Sequence, residues 1–166
     1  TGIWKTVWTE YVPDIRLDYV KMTPNLHDMA LEIEYQIDAP ESAMAGGNLM
    51  VVATVTFGDM LISKTMTVMT SDHTKTKIDV FHKTNGQANC GMEWGVRTWS
   101  PESPDLYDIT FEVVSDGKIL DTVGSYFAMR EIRIDGSNIL LNGHPLYQRL
   151  ILDQGYWKDS HLTPPS

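Results

Sequence analysis

The sequence holds one cysteine, Cys90, so it has no pair for an internal disulfide and no thiolate set for a multi-cysteine zinc site. It is also short of positive charge: 13 Lys and Arg stand against 22 Asp and Glu, a net charge of −9. Nucleic acids and anionic membrane surfaces are gripped mainly through Lys and Arg, so neither is expected as a partner. No run approaches the roughly 20 apolar residues that cross a bilayer. No Asn-x-Ser/Thr acceptor occurs, no window keeps a helical period, and there is no repeat or low-complexity tract. The first residue is Thr1 rather than Met, with no basic-then-apolar leader after it, so the chain is expected to be an excised piece or a processed product.

What remains is 166 residues, 42% hydrophobic and 21% charged, enough for one domain and some extra. Their dominant period is two. Over 31–38, Leu31, Ile33, Tyr35 and Ile37 alternate with Glu32, Glu34, Gln36 and Asp38, which puts one set on a core face and the other in water. The pattern returns with Tyr107, Ile109, Phe111 and Val113, and with Ile15, Leu17 and Tyr19. Residues 49–57, 62–69 and 76–82 read as further strands. Gly58-Asp59 and Asp116-Gly117 separate strand patterns by two residues, as hairpin turns do. Residues 85–95 and 100–105, rich in Gly, Pro, Asn and Ser, read as loops. About seven short strands with turns between them predict an all-β, immunoglobulin-like antiparallel sandwich over residues 11–135. The ends fall outside this pattern. Residues 1–8 carry Trp4 and Trp8, and 139–157 form a second apolar stretch containing Leu150, Ile151 and Leu152. A buried-type strand there needs neighbours on both sides, and these residues alone supply none.

Candidate chemistry is sparse. Glu32 and Glu34 lie two apart on one strand face, where a carboxylate pair is geometrically conceivable, but a solvated strand face is the plainer reading. His27, His73, His82, His144 and His161 lack the close pairs that metal sites favour, so no metal is expected. Cys90 has no positioned base, and neither Ser100 nor Ser125 sits in a nucleophile elbow. Trp94 and Trp99 flank a loop and could stack on sugar rings if both indoles were open and coplanar. A packing role would bury them against loops instead. The alternative to a part of a larger enzyme is thus a carbohydrate-binding or protein-interaction sandwich module. Nine methionines suit adaptable packing, in the core or at interfaces.

Several segments carry a resemblance beyond composition. The opening Thr1-Gly2-Ile3-Trp4-Lys5-Thr6-Val7-Trp8 resembles the segment that closes a sugar-binding jelly roll. Trp99-Ser100-Pro101-Glu102 with Pro104-Asp105-Leu106-Tyr107 resembles a loop entering a late sandwich strand, and Ser125-Tyr126-Phe127-Ala128-Met129-Arg130 resembles the last strand of that sandwich. Leu141-Asn142-Gly143-His144-Pro145-Leu146-Tyr147 resembles the entry to a (β/α)8 barrel. In this order they resemble glycoside hydrolase family 2, the β-galactosidase, β-glucuronidase and β-mannosidase family, and the closing Leu152-Asp153-Gln154-Gly155-Tyr156-Trp157 is similar to a bacterial β-galactosidase-like subgroup. Ala128 and Leu150 depart from the family pattern, each standing where glycine is usual.

The resemblance implies the end of a sugar-binding domain over 1–10, a sandwich over 11–135, and a truncated start of the catalytic barrel over 136–166. It implies retaining hydrolysis by two glutamates in a barrel beyond Ser166. No glutamate of this chain matches either motif, so the chain alone is expected to be inactive, with no catalytic residue, metal or cofactor. Asp153, Gln154 and Trp157, just after the first barrel strand, would border the substrate in the intact enzyme. The implied partners are the flanking domains of the same polypeptide, with carbohydrate only in the full-length enzyme. An unpaired strand over 150–152 would fold back or pair with a second copy.

Overall fold

The computed structural model describes residues 6–81, 94–153, 155–159 and 161, and the backbone of 83–84 and 87–88. The chain forms two compact units, Pro13–Leu146, and Thr1–Val12 with Tyr147–Ser166. The larger unit holds two main antiparallel sheets. One is built from β1 (Arg16–Asn25), β2 (Ala30–Asp38) and β5 (His73–Asp79), in the order β1-β2-β5. The other contains β3 (Leu49–Phe57), β4 (Met60–Val68), β8 (Tyr107–Ser115) and β9 (Lys118–Phe127), in the order β4-β3-β8-β9. With strands two and five in one sheet and three, eight and nine in the other, this is the connectivity of an immunoglobulin-like sandwich.

Alternation decides which side chains enter the core. Leu31, Ile33, Tyr35 and Ile37 of β2 are buried, as are Tyr107, Ile109, Phe111 and Val113 of β8. Tyr35 meets Phe111 edge to face at 5.9 Å between ring centroids, so the two sheets close on one core. Burying each such side chain stabilises the fold by roughly 1.5–3 kcal/mol before entropy is counted. The period slips at three bulges. In β1, Leu17 pairs with Ile37 and Tyr19 with Gln36, which leaves Asp18 as the extra residue. Tyr19, expected on the core face with Ile15 and Leu17, is therefore 53% exposed, and Val20 and Met22 pack against the core instead. Ile62 in β4 and Leu120 in β9 are likewise extra residues, and both turn onto the core.

The hairpin turns follow their glycines. Asp116 and Gly117 both take positive φ, at 50° and 75°, as a type I′ turn between β8 and β9 requires. A five-residue helix, α1 (Glu41–Ala45), interrupts the β2–β3 connection where no helical period was legible. Two-residue strands β6 (Lys83–Thr84) and β7 (Gln87–Ala88) pair, the first between the strand read over 76–82 and the loop read over 85–95, the second within that loop. A meander follows the sandwich within the same unit, formed by β10 (Ile132–Asp135), β11 (Asn138–Leu141) and β12 (His144–Pro145).

The smaller unit contains a β-bridge between Trp157 and His161, hydrogen-bonded in both directions at 2.8 and 3.0 Å. The expected barrel strand is not formed. Leu150, Ile151 and Leu152 lie outside any strand and are 79%, 91% and 89% exposed, because among the described residues no neighbouring strand pairs with them.

Candidate functional site

The end of the sandwich where the chain leaves it gathers several of the side chains singled out from sequence, Trp94, Trp99, Ser100, His27 and His144 among them. Its framework is the loop from Trp94 to Leu106. Tyr107, buried at the start of β8, accepts a 2.8 Å hydrogen bond at its hydroxyl from the Arg97 N–H, which ties the loop to the strand as a tyrosine corner does. Ser100 Oγ accepts from the Ser103 N–H at 3.1 Å and closes a local turn. Trp99 donates its backbone N–H to the Met129 carbonyl at 2.9 Å, and Thr98 bridges to Met129, so the loop runs alongside the chain leaving β9.

Asn142 locks the meander to this loop. It is buried, and its Oδ1 accepts from the Glu131 N–H at 3.0 Å while its Nδ2 donates to the Trp99 carbonyl at 3.0 Å. Its own backbone N–H donates to the Glu131 carbonyl at 2.9 Å. Its φ of 52° is tolerated by Asn and is followed by Gly143 at 85°. A Cβ on Gly143 would stand 3.4 Å from Trp94 Cζ2, so the glycine also lets the turn approach the indole.

Both tryptophans are half-buried and held by different neighbours. Trp94 meets His27 edge to face at 5.3 Å, and its Nε1 is buried without a hydrogen-bond partner among the described residues. Trp99 carries the Arg130 guanidinium over its ring at 5.2 Å, a cation–π contact that occupies one of its faces. His27 Nε2 lies 3.4 Å from Glu131 Oε2, an ion pair whenever the imidazole is protonated, and Arg133 Nε lies 3.6 Å from Glu131 Oε1. A cavity of about 320 Å³ opens beside Trp94, lined also by Glu102, Asn142 and His144.

The remaining candidates are dispersed. Glu34 is bracketed by Lys21 at 3.1 Å and Lys75 at 3.3 Å, and the hydrogen bonds from these two lysines hold its carboxyl below the usual range. Glu32 accepts from Asn25 Nδ2 at 3.2 Å. Glu34, held in its charged form, has no proton to give as a general acid at neutral pH. No group of three His, Cys, Asp or Glu able to hold a metal occurs among the described residues. Asp153 Oδ1 accepts from the Gly155 N–H at 2.8 Å, and a Cβ on Gly155 would be 3.6 Å from the Trp157 ring. Cys90, His82, Gln154 and residues 1–5 lie outside the described residues. Sequence reading missed Asn142 and Tyr107 as anchors. The Asn142-Gly143 pair is itself a turn signal, whereas nothing local marks the hydroxyl of Tyr107 as the brace of a loop ten residues upstream.

Fold and site together define an antiparallel β-sandwich domain whose tryptophans are packed into a braced end. A family model described as Glycosyl hydrolases family 2 matches residues 15–130, and the chain belongs to this family. It is 26% identical to a beta-galactosidase of Klebsiella pneumoniae (strain 342) over 159 residues, 90% of this chain and 14% of that protein. Over 56 residues, 33% of the chain, it is 39% identical to the beta-galactosidase BgaC of Bifidobacterium adolescentis, covering 5% of that protein. Among solved structures it is similar to the apo beta-glucuronidase 3 of Bacteroides uniformis, with a TM-score of 0.61 and 16% identity over 84% of this chain and 16% of that one. A beta-glucuronidase from Ruminococcus gnavus gives a TM-score of 0.55 and 17% identity, over 82% of this chain and 19% of that one. These two likenesses are of fold. The chain therefore spans only about a seventh of the length of its Klebsiella relative.

Proposed function

We propose that the sandwich is the non-catalytic spacer domain of a longer, β-galactosidase-like hydrolase that cleaves O-glycosidic bonds with retention. The observation that carries this reading is the coverage: nearly all of the chain aligns with a beta-galactosidase, yet it occupies only 14% of that protein. A retaining site needs two carboxyl groups about 5–5.5 Å apart, one of them kept protonated as general acid. Glu34, drawn toward its charged form by two lysines, is unsuited to the acid role. The two catalytic glutamates would accordingly lie outside residues 1–166.

In the longer protein a sugar-binding domain would precede the sandwich, and residues 136–166 would lead into the catalytic barrel. Leu150, Ile151 and Leu152, three consecutive exposed apolar side chains, would be covered there as the first barrel strand. Asp153, Gln154 and Trp157 would then sit at the mouth of the barrel near the substrate. The braced end built on Tyr107 and Asn142 would transmit a fixed orientation from sandwich to barrel.

Hydrolysis of chromogenic β-galactoside, β-glucuronide and β-mannoside substrates tests the proposal. The expected result is no turnover by the 166-residue chain and turnover of one substrate class by the chain extended through a complete barrel. Turnover by the short chain would overturn it.

A further inference from the structure

A sheet with one face on the core and the other in water carries polar side chains outward. The outer face of β1-β2-β5 obeys this: Lys21, Glu34 and Lys75 form an ion-paired row across all three strands, and Lys77 donates to Asp28 at 2.7 Å in the turn below. The outer face of β4-β3-β8-β9 departs from it at one end. Its cross-strand register places Val68, Met50, Val114 and Ile119 side by side, one from each strand, as an unbroken apolar row. Met66 and Val52 extend that row on the next outward positions of β4 and β3. Met66 is 70% exposed and Ile119 is 57% exposed. On β8 and β9 that second row is already polar, at Glu112 and Thr122, and Lys64, Thr54 and Thr110 follow in the next.

The row lies at the end where the chain enters the sandwich. The Leu17 N–H, one residue into β1, donates to Asp121 Oδ2 at 3.0 Å, which places the entering strand beside β9 two residues from Ile119. Asn48 Nδ2 donates to Asp116 Oδ1 at 2.7 Å and fixes the β8–β9 turn that borders the row. A domain attached through the residues before Pro13 would thus be tethered within reach of the apolar corner. A second copy of the chain is the poorer occupant, because each copy carries a net charge of −9.

We propose that the corner formed by Val68, Met50, Val114, Ile119 and Met66 is the docking surface for the domain that precedes the sandwich in the longer polypeptide, an occupant that presents an apolar patch of its own. The assignment rests on the spacer reading for the existence of that domain. It adds which face is covered. The sandwich then has one wet outer face and one outer face committed at its entry end to a neighbour.

Methionine oxidation reads this directly, since sulfoxide formation follows solvent access. Met66 and Met60 lie on the same edge strand, one in the corner and the other, 53% exposed, at the far end. Both chains, the 166-residue form and the full-length polypeptide, are treated with dilute hydrogen peroxide and analysed by peptide mass spectrometry. Met66 is expected to oxidise about tenfold more slowly in the full-length polypeptide, with Met60 changed less than about twofold. Equal Met66 rates in the two forms would overturn the assignment. So would protection of Met66 in the short chain together with a dimer by light scattering, which would make a second copy the occupant. The substrate panel separates the two readings: protection without glycoside turnover sinks the spacer-of-a-glycosidase reading alone, whereas turnover without protection sinks the docking surface alone.

Discussion

On the outside of the three-stranded sheet, each carboxylate of β2 has a partner: Glu32 an amide of Asn25, Glu34 two lysines, and Asp38 the Arg16 guanidinium. On the outside of the four-stranded sheet, the row at the entry end has nothing to pair, only methyl and thioether groups facing water. The inner faces show no such difference, since both sheets send in residues of the same kind to the same depth. What separates the sheets is therefore not how they make the core but what they were shaped to meet outside it. A self-paired polar face is complete in water, whereas an apolar row gains free energy only when something covers it.

The sharpest way to break this contrast is to test whether the inner faces are truly equivalent. Ile33 on β2 and Ile109 on β8 are both 1% exposed. Truncating either, Ile33→Ala or Ile109→Ala, is expected to lower unfolding stability by about 2–5 kcal/mol, measured by urea denaturation of the 166-residue chain. A loss below about 1 kcal/mol on one sheet alone would mean that this sheet does not share the core.

How much of this could be read from the sequence follows the same division. β2 and β8 were plain because each alternates without a break, and their inward residues are the buried ones. β1 was legible as a strand but not in phase, since the bulge at Asp18 reverses the faces after Leu17 and no residue type announces it. The strand expected over 150–152 shows the opposite failure. Apolar composition alone does not make a strand where no partner supplies the ladder. The apolar corner was invisible because its members come from four separate strands, and only the register brings Val68 and Ile119 into one row. Trp94 and Trp99 were found by type, but their neighbours His27, Arg130 and Gly143 come from distant segments, so packing against platform was not decidable from spacing.

A smaller effect probes the seam between the sheets. The hydroxyls of Tyr35 on β2 and Thr67 on β4 are buried, and neither completes a hydrogen bond among the described residues. Burial raises the Tyr35 phenol above its ordinary range, with the neighbouring Thr67 hydroxyl opposing weakly. A buried polar atom without a partner carries its desolvation cost uncompensated. Replacing both with apolar groups of similar shape, Tyr35→Phe with Thr67→Val, is expected to leave stability unchanged or raise it by up to about 1 kcal/mol. A clear loss in thermal melting would show that the pair is satisfied in solution and that the seam is polar by design.

The smallest expected effect belongs to the wet face, and its sign follows from linkage. Hydrogen bonds from Lys21 and Lys75 lower the Glu34 carboxyl from its ordinary 4.5, and the hydrogen bond to Glu34 raises Lys21 above 10.5. A depressed carboxyl contributes stability above its unfolded value and loses it as pH falls through the folded one, while a raised lysine loses its contribution as pH climbs past its folded value. The row therefore contributes between the ordinary carboxylate and lysine ranges. Because these side chains are exposed, the contribution is small and screened. Glu34→Gln should lower the melting temperature slightly near neutral pH, and should match the parent chain once acid has protonated Glu34. Salt near 1 M, with a screening length of about 3 Å, should erase the neutral-pH difference. Oxidation of Met66 in the same salt should not change in that way, because apolar cover is not an ionic contact. If the Glu34 difference survived both acid and salt, the wet face would be held by something other than its charges, and the contrast between the two outer faces would lose its physical basis.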